Sequence, residues 1–289
     1  MKILVIGSGF LGKSIIRKIE SEMHDVVVFS RTKNSDLKCR QLIGDIFDFQ
    51  EILELDLWRP EVIINTAWIT HHDKYTNDAS NYQYAKFAIS LSNYALNMNV
   101  KHLIVLGSCA EYGYQKEKSC AGITSLNPVT LYAQQKVFAF NSIKSLLINS
   151  NTRLTWARIF YPYGPNQEKK RFIPYIFDSI SSGELIKLKN TSAINDWITT
   201  SDIASAIDWI IKNDCPLEVD VGTGIGYTNI QIIEEIEKLL KINLYWEIHP
   251  EETLNQYGVS VVGSNSYLMQ SGWRPNHSLS TGLKWAFNL

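Results

Sequence analysis

The sequence lacks the excess of positive charge that proteins use to follow nucleic acids. Its 28 Lys and Arg residues are balanced by 29 Asp and Glu residues, which gives a formal net charge of -1. A nucleic-acid-binding domain presents a basic stripe or patch to the phosphate backbone, and the basic residues of this chain are interspersed with acidic ones. We therefore expect no nucleic-acid partner.

Long apolar runs are also missing. No stretch approaches the roughly 18 apolar residues that a membrane-spanning helix needs. The start MKILVIGSGF is interrupted by Gly7 and Gly9, and no small-residue cleavage site follows, so it predicts a strand rather than a signal peptide. We expect no membrane segment and a cytoplasmic location.

Cysteine is scarce, and its spacing excludes two kinds of site. The four cysteines, Cys39, Cys109, Cys120 and Cys215, form no CxxC pair. Neither a disulfide framework nor a thiolate metal site is predicted from such spacing. We expect free thiols in a reducing compartment and no bound metal.

Short apolar runs alternate with longer amphipathic runs through the first half of the chain. KILVI, DVVVFS, RQLIGD, EVIINTA and KHLIVLGS predict strands, and the segments between them predict helices. This alternation favours right-handed βαβ units, and hence an α/β fold with a Rossmann-type doubly wound parallel sheet. Past YPYGPNQ the alternation stops. We expect a dinucleotide-binding domain at residues 1–165 and a smaller α/β C-terminal substrate lobe at residues 166–289, partly interwoven with it.

A glycine motif separates the first predicted strand from the first predicted helix. Gly7, Gly9 and Gly12 form G-x-G-x-x-G, in which the glycines serve a tight turn, close approach to a pyrophosphate and helix–strand packing. Free N–H groups at the helix N-terminus attract the anion. We predict that Gly7, Gly9, Phe10, Leu11 and Gly12 bind a dinucleotide; an ordinary flexible turn is the alternative.

The end of the second predicted strand bears on which dinucleotide is bound. NAD-binding folds usually place Asp or Glu there, whereas this strand ends in Ser30 and Arg31. A hydroxyl beside a guanidinium suits a 2′-phosphate, so we expect NADP(H) rather than NAD(H), with a solvated loop arginine as the alternative. Asp45 and Ile46, at the end of the third predicted strand, are placed near the adenine, although a plain turn residue explains Asp45 almost as well.

Tyrosine followed by lysine four positions later is a recurring pattern in this chain. On a helix the two side chains share one face, and the ammonium favours the phenolate, which lowers the tyrosine pKa toward working pH. Such a phenol can exchange a proton with a substrate oxygen while a nicotinamide exchanges a hydride with the attached carbon. The pairs are Tyr82/Lys86, Tyr112/Lys116, Tyr114/Lys118 and Tyr132/Lys136.

Position selects one of these pairs. Tyr132 and Lys136 open a helix that follows VLGS, the predicted strand that ends at Ser108, whereas the others fall in a Gly-containing loop or on an earlier helix. Parallel sheets bind ligands at the carboxyl ends of their strands, where Ser108 would stabilise charge on the reacting oxygen. We predict Ser108, Tyr132 and Lys136 as catalytic residues. The structural alternative makes Tyr132 a half-buried helix aromatic and Ser108 a turn residue.

The motifs together resemble the extended short-chain dehydrogenases/reductases, the NAD-dependent epimerase/dehydratase family, which act on nucleotide sugars. They run in the family's order from Lys2 to Phe287: GSGFLG, GDI, INTAW, LGSCAEYG, YAQQK, RIFYPYGP, RFIP, NDWITTSDIASAI, DVGTG and SGWRPNHSLSTGLKWAF. The resemblance implies a Ser-Tyr-Lys triad at the three residues above and a nucleotide-sugar pocket between the two lobes. It also implies a homodimer through the predicted helices at residues 77–98 and 128–149.

The same resemblance assigns further contacts. It places Ala67 and Trp68 on the nicotinamide and sugar side, Tyr161 beside the nicotinamide, and Arg171 near the nucleotide diphosphate. For Trp68 and Tyr161, core packing is the alternative.

Departures from the family pattern distinguish among its reactions. Dehydratases carry Asp-Glu where this chain has Cys109 and Ala110, so elimination is disfavoured. Epimerising reductases use a Cys and a His as a proton-moving pair. Cys109 stands in place of that Cys and is predicted to contact the substrate, whereas the segment YGPNQEKKRFIP, where the His is expected, contains no histidine. His71 and His72 are further candidate contacts, although solvated loop histidines are commoner. Asn195 stands where the family has an arginine that contacts phosphate.

These observations favour NADPH-dependent reduction of a nucleotide-linked 4-keto-6-deoxy sugar, as in the biosynthesis of deoxysugars for lipopolysaccharide or O-antigen. In this hypothesis Tyr132 protonates the oxygen, Ser108 stabilises it, and Lys136 tunes Tyr132 while contacting the nicotinamide ribose. Two alternatives stay open: a nucleotide-sugar 4-epimerase that holds NAD tightly, and a non-catalytic NADP-binding regulator.

Overall fold

The computed structural model describes residues 1–51, 53–115, 117–188, 191, 193–248 and 261–289, with only the backbone described at residues 50, 51, 53 and 54. Its strands in chain order are β1 (Lys2–Ile6), β2 (Asp25–Ser30), β3 (Arg40–Ile43), β4 (Val62–Asn65), β5 (His102–Ser108), β6 (Arg153–Ile159), β7 (Tyr161–Tyr163), β8 (Ile186–Leu188), β9 (Ile194–Thr199), β10 (Glu218–Val221), β11 (Gly226–Thr228) and β12 (Trp246–Ile248). Its α-helices are α1 (Phe10–Ser21), α2 (Leu53–Trp58), α3 (Ser80–Asn97), α4 (Leu131–Leu147), α5 (Phe172–Ser182), α6 (Thr200–Lys212), α7 (Asn229–Leu240), α8 (Ser266–Gln270) and α9 (Leu279–Phe287).

Seven of the described strands form the central sheet. They lie in the order β10-β6-β5-β4-β1-β2-β3, and all are parallel. The inner strands are buried along most of their length, as short continuous apolar runs in a parallel sheet must be when helices cover both faces. The predicted α/β fold with a Rossmann-type parallel sheet is confirmed.

Each face of this sheet has its own apolar layer. Ile15 and Ile19 of α1 pack with Ile207 of α6 against one face, whereas Leu91 of α3 and Ile143 of α4 belong to the cluster on the other face. The sheet is therefore enclosed, and ligands reach it at its edges.

The strand order reverses between β1 and β4. Ile6, the last residue of β1, pairs with Phe29 of β2 on one side and with Asn65 of β4 on the other. Doubly wound sheets bind ligands in the crevice beyond the carboxyl ends of the strands at such a reversal. The loops after β1, β4 and β5 meet at this crevice.

The C-terminal half builds a smaller layer beside the crevice. β11, β9 and β7 form a three-stranded sheet, and β12 pairs with β8. Side chains of α5, α7 and α9 enclose an apolar cluster that includes Ile173, Ile232 and Leu283. β10 returns to the central sheet beside β6. The division at residue 165 stays a prediction.

The two long helices are shorter than predicted. Residues 77–98 contain α3 from Ser80 to Asn97, and residues 128–149 contain α4 from Leu131 to Leu147. Thr130 caps α4, because its side-chain oxygen accepts the Ala133 N–H at 3.2 Å. The helix therefore begins three residues after Pro128, the first residue of the predicted segment.

Two further features concern membranes and metals. In the described part of the chain, no helix combines the length and apolar content that crossing a bilayer requires. Among the same residues, no group of three or more His, Cys, Asp or Glu side chains is arranged to hold a metal ion.

Candidate active site

The glycine turn after β1 is shaped by three different requirements. Gly7 has a φ of 93°, in the left-handed region that favours glycine. A Cβ at Gly12 would lie 2.3 Å from the Gly7 carbonyl oxygen, so only glycine lets α1 pack this closely. A Cβ at Gly9, in contrast, would meet no atom within 4 Å. The turn therefore leaves open space at the N-terminus of α1, which fits a pyrophosphate.

The end of β2 is positively charged. Ser30 is buried, and its hydroxyl donates to the Thr32 carbonyl oxygen at 2.9 Å. Arg31 is exposed, and no hydrogen-bond or ion-pair partner is found for it among the described residues. Asp36, in the same loop, is paired with Lys13 at 2.5 Å. The strand end thus offers no carboxylate to a ribose hydroxyl.

Asp45 and Ile46 follow β3 as predicted, but with local roles. The Asp45 carboxylate accepts the Phe47 N–H at 3.0 Å. This bond stabilises the turn, which is the alternative role given for Asp45 above. Ile46 is buried in the apolar cluster below. Their contact with an adenine stays a prediction.

The predicted triad comes together at the crevice. Ser108 ends β5, while Tyr132 and Lys136 lie on the first turns of α4. The Nζ of Lys136 donates to the Leu106 carbonyl oxygen at 2.7 Å and lies 5.4 Å from the centroid of the Tyr132 ring. It also lies 4.0 Å from the ring centroid of Trp68.

The electrostatics of this triad differ from the expectation. Burial raises the pKa of the Tyr132 phenol, and a side-chain hydrogen bond with Ser108 opposes the rise. The prediction that Lys136 brings this pKa toward working pH is wrong for this arrangement, because its ammonium faces the Leu106 carbonyl and the Trp68 ring instead. Burial lowers the pKa of Lys136 itself to about 8.

Aromatic rings enclose Tyr132. Tyr75 meets it edge to face with ring centroids 5.1 Å apart, and Trp68 does so at 6.2 Å. Trp68 stacks on Tyr84, and its Nε1 donates to Asn81 at 2.8 Å. Trp68 therefore belongs both to the packing of the domain and to the wall of the site.

The loop after β4 is joined to the C-terminal lobe. Arg171, which precedes α5, donates to the Thr70 carbonyl oxygen at 2.5 Å, and its guanidinium lies 5.0 Å from the Tyr75 ring centroid. Lys170 forms an ion pair with Asp73. The approach of Arg171 to a diphosphate stays a prediction, since its guanidinium is held on this loop.

The other predicted contacts line the same region. Cys109 is buried after Ser108, and the partly buried Tyr161 packs against its cluster. Burial raises the pKa of both groups, so both stay protonated near neutral pH. The Ala67 N–H donates to Asn65 at 3.0 Å, at the mouth of the glycine turn.

Among the residues that the structure describes, the remaining Tyr–Lys pairs build no comparable site. Tyr112 is buried and donates its hydroxyl to Asp220 at 2.6 Å. Tyr82 is 57% exposed, and Lys118 donates to a backbone carbonyl of the C-terminal lobe. Lys116 lies outside the described residues.

Two residues near the triad were missed by sequence reasoning. Tyr75 carries no local signal, because its contact with Tyr132 depends on the path of the loop after β4. Glu111 follows Ser108 by three positions, and the spacing S-x-x-E indicates a capping box, which the structure contains.

Comparisons with known proteins agree with this architecture. The chain is 24% identical to the UDP-glucose 4-epimerase of Lactobacillus helveticus, with 99% of this chain and 97% of that protein covered. A UDP-glucose-4-epimerase structure from Stenotrophomonas maltophila with bound NAD and formylated UDP-arabinopyranose matches with a TM-score of 0.87 at 18% identity, covering 100% of this chain and 97% of that one. The structure of the UDP-glucose 4-epimerase of Thermotoga maritima with UDP-glucose matches with a TM-score of 0.85 at 18% identity, covering 99% of this chain and 97% of that one.

At such identities the solved structures establish the fold alone. Their names are those of 4-epimerases, whereas the motif departures favoured 4-keto sugar reductases. The family profile is the broader result, since it matches residues 3–222. This chain belongs to the NAD dependent epimerase/dehydratase family.

Proposed function

We propose that this protein moves a hydride between a nicotinamide cofactor and carbon 4 of a sugar linked to a nucleoside diphosphate. The observation that carries this proposal is that Ser108, Tyr132 and Lys136 meet at the sheet edge that also bears the glycine turn. A nicotinamide cofactor would supply the hydride chemistry. The free amides of the turn at Gly9 and Phe10 would hold its pyrophosphate.

Each member of the triad has a chemical task. The Tyr132 hydroxyl exchanges a proton with the oxygen on carbon 4. The Ser108 oxygen accepts the Ala110 N–H at 3.2 Å, so its own hydrogen is left for donation to Tyr132 or to the substrate oxygen. Lys136 keeps a buried positive charge one turn away from Tyr132 and would contact the nicotinamide ribose.

The first reaction we propose is 4-epimerisation of a UDP-sugar. The relative from Lactobacillus helveticus spans nearly the whole chain and bears that activity in its name, as do the two structures from Stenotrophomonas and Thermotoga. An epimerase takes a hydride from carbon 4 and returns it to the opposite face. NAD would therefore remain bound and be regenerated in each cycle.

A second candidate is NADPH-dependent reduction of a nucleotide-linked 4-keto-6-deoxy sugar. The end of β2 favours it, because Ser30 and the exposed Arg31 suit a 2′-phosphate and stand where NAD-binding folds usually have Asp or Glu. A reductase consumes its cofactor and must release it.

One set of assays separates these reactions. The purified protein is tested for interconversion of UDP-glucose and UDP-galactose, and for oxidation of NADPH or NADH at 340 nm with a panel of 4-keto-6-deoxy nucleotide sugars. Inversion at carbon 4 without net cofactor consumption supports the epimerase, and stoichiometric oxidation supports the reductase. Tight NADPH binding with neither reaction contradicts both and favours the non-catalytic regulator.

The Tyr132→Phe variant tests the triad in whichever assay succeeds. Removal of the hydroxyl should lower turnover by about 100-fold or more while cofactor affinity changes little. Tyr82→Phe is the matched control, because Tyr82 also begins an i, i+4 Tyr–Lys pair but is 57% exposed on α3. Near-normal turnover in Tyr132→Phe would contradict the assignment.

We further propose that the protein is a homodimer through α3 and α4. Tyr82 on α3 and Phe138 on α4 are each more than half exposed, and covering such side chains stabilises association. Light scattering on the eluted protein should give twice the 33.0 kDa chain mass, and a monomer would overturn this proposal.

A further inference from the structure

A buried ion pair lies behind Ser108. Glu111 and Arg158 are both fully buried, and the Arg158 Nε is 2.7 Å from the Glu111 Oε2. The Nη1 of Arg158 also reaches Glu218 at 2.7 Å. The loss of hydration on burying two charges is large, and the attraction between them rarely returns more than this. A pair in this position is therefore better explained by a role in the site than by stability.

Within the described part of the chain, the Glu111 carboxyl only accepts hydrogen bonds. Oε1 accepts the Ser108 N–H at 2.7 Å, and Oε2 accepts the Trp156 Nε1–H at 2.9 Å and the Arg158 Nε–H at 2.7 Å. These three partners are donors only, so they favour the ionised carboxylate. Burial raises the pKa of Glu111, and the charge of Arg158 opposes that rise.

The first of these contacts fixes Ser108. While Glu111 accepts the Ser108 N–H, the Ser108 oxygen accepts the Ala110 N–H, so the two residues form a reciprocal capping box. The backbone and the hydroxyl of Ser108 are thus both held. Glu111 therefore holds the backbone from which this hydroxyl projects, and the Ala110 N–H holds the hydroxyl oxygen.

The charge of Glu111 also acts on Lys136, which is buried and donates to the carbonyl oxygen of Leu106, two residues before Ser108. Burial lowers the pKa of the Lys136 ammonium to about 8, and the negative charge of Glu111 opposes this effect. Other titratable or charged groups surround the two: Cys109 and Tyr112 on the turn after β5, Tyr132 on α4, Arg158 on β6, and Glu218 and Asp220 on β10.

We propose that Glu111 is a positioning residue of the active site: it holds Ser108 in its orientation and keeps Lys136 cationic, while Arg158 keeps Glu111 ionised. This inference rests on the function proposed for the triad. Glu111 touches no reacting atom in this scheme, since its contacts are with the backbone of Ser108 and with β6.

The variant Glu111→Gln removes the charge and keeps the shape. We expect kcat to fall by about 10- to 100-fold and KM for the sugar to change by less than about 3-fold. The alkaline limb of the kcat profile should move to lower pH, because Lys136 loses its proton earlier. Glu218→Gln is the matched control: it also removes a carboxylate bonded to Arg158, but among the described contacts it is Glu111, and not Glu218, that bonds to Ser108. The kcat of Glu218→Gln should stay within about 3-fold of the value for the unmodified protein.

A double variant distinguishes this role from a purely structural one. Glu111→Gln with Arg158→Met removes both buried charges, so the unpaired guanidinium of the single variant is gone. The proposal predicts that Tm recovers while kcat stays low. Recovery of both Tm and kcat would overturn the proposal. If Glu111→Gln alone fails to fold, the double variant is used for the test instead.

A titration without substrate completes the test. The Lys136 signal in spectra of protein labelled with 15Nζ-lysine is assigned by its loss in Lys136→Met. Its pKa should be lower in Glu111→Gln than in the unmodified protein and unchanged in Glu218→Gln; an unchanged value in Glu111→Gln would overturn the inference. Because this readout needs no turnover, a failure of the proposed reaction remains distinguishable from a failure of the role of Glu111.

Discussion

The Nζ of Lys136 lies 4.0 Å from the centroid of the Trp68 ring and 2.7 Å from the Leu106 carbonyl oxygen. Lys136 is only 3% exposed, so little water reaches its ammonium. The negative face of an indole attracts a cation and replaces part of the lost hydration. A hydrogen bond from Trp68 to Asn81 holds that face in position.

The Trp68→Leu variant should therefore destabilise the Lys136 cation. A desolvated cation–π contact contributes about 2 kcal/mol, so we expect kcat to fall by up to about 30-fold and the alkaline limb of its pH profile to move to lower pH. Trp68→Phe keeps an aromatic face and should retain most of the activity. Equal losses in the two variants would show that the ring face does not act on Lys136.

Lys136 should also make stability depend on pH. Its pKa is about 8 in the folded chain, compared with about 10.4 for an unfolded lysine. Below pH 8 both states are protonated and the buried cation destabilises the fold. Between these two pKa values the unfolded state binds more protons, so stability rises with pH, by about 3 kcal/mol for this group over the whole interval. Urea titrations at pH 7.5, 8.5 and 9.5 should show this rise and its loss in Lys136→Met. If the free energy of unfolding rose equally with pH in the unmodified protein and in Lys136→Met, the burial of the cation would be contradicted.

The triad could be predicted because its positions follow from chain order. A strand that ends in Ser108 and is followed by a helix starting near Tyr132 must bring both to one sheet edge, whatever the other side chains do. Whether the pKa of Tyr132 is raised or lowered could not be predicted in the same way. The i, i+4 spacing places Lys136 near Tyr132. It does not indicate how deeply the phenol is buried, nor that the Leu106 carbonyl competes for the ammonium.

Residues that act from behind the triad are harder to find. Arg158 is separated from Glu111 by 47 positions, and their contact exists only because β5 and β6 are neighbours in the sheet. A charged residue inside the apolar strand RLTWARIF was a usable signal, since a buried arginine requires a partner. The identity of that partner required the fold.

The glycine turn offers a paired test of packing and binding. In Gly12→Ala the new Cβ would lie 2.3 Å from the Gly7 carbonyl oxygen, so we expect a loss of about 1–3 kcal/mol in the free energy of unfolding. In Gly9→Ala the methyl group meets nothing within 4 Å, and the backbone φ of -70° suits alanine. This variant should keep its Tm and lose about 10-fold or more in dinucleotide affinity, because the methyl group occupies the approach of the pyrophosphate. Unchanged affinity in Gly9→Ala would place the dinucleotide elsewhere.

Arg31 tests which cofactor is used. A hydrogen bond to a charged group contributes about 1.5–3 kcal/mol, so Arg31→Ala should raise the Kd for NADPH by roughly 10- to 150-fold and leave the Kd for NADH within about 3-fold. Lys33→Ala is the control, as an exposed cation in the same loop. Ser30→Asp should reverse the preference, because a carboxylate accepts from a ribose 2′-hydroxyl and repels a 2′-phosphate.

The opposite outcome of this titration is equally informative. If the unmodified protein binds NADH at least as tightly as NADPH, and Arg31→Ala affects both alike, the end of β2 does not select the cofactor. The observation that favours a reductase then disappears. A tightly held NAD and the 4-epimerase reaction would follow, since the triad and the glycine turn serve both reactions while only the end of β2 separates them.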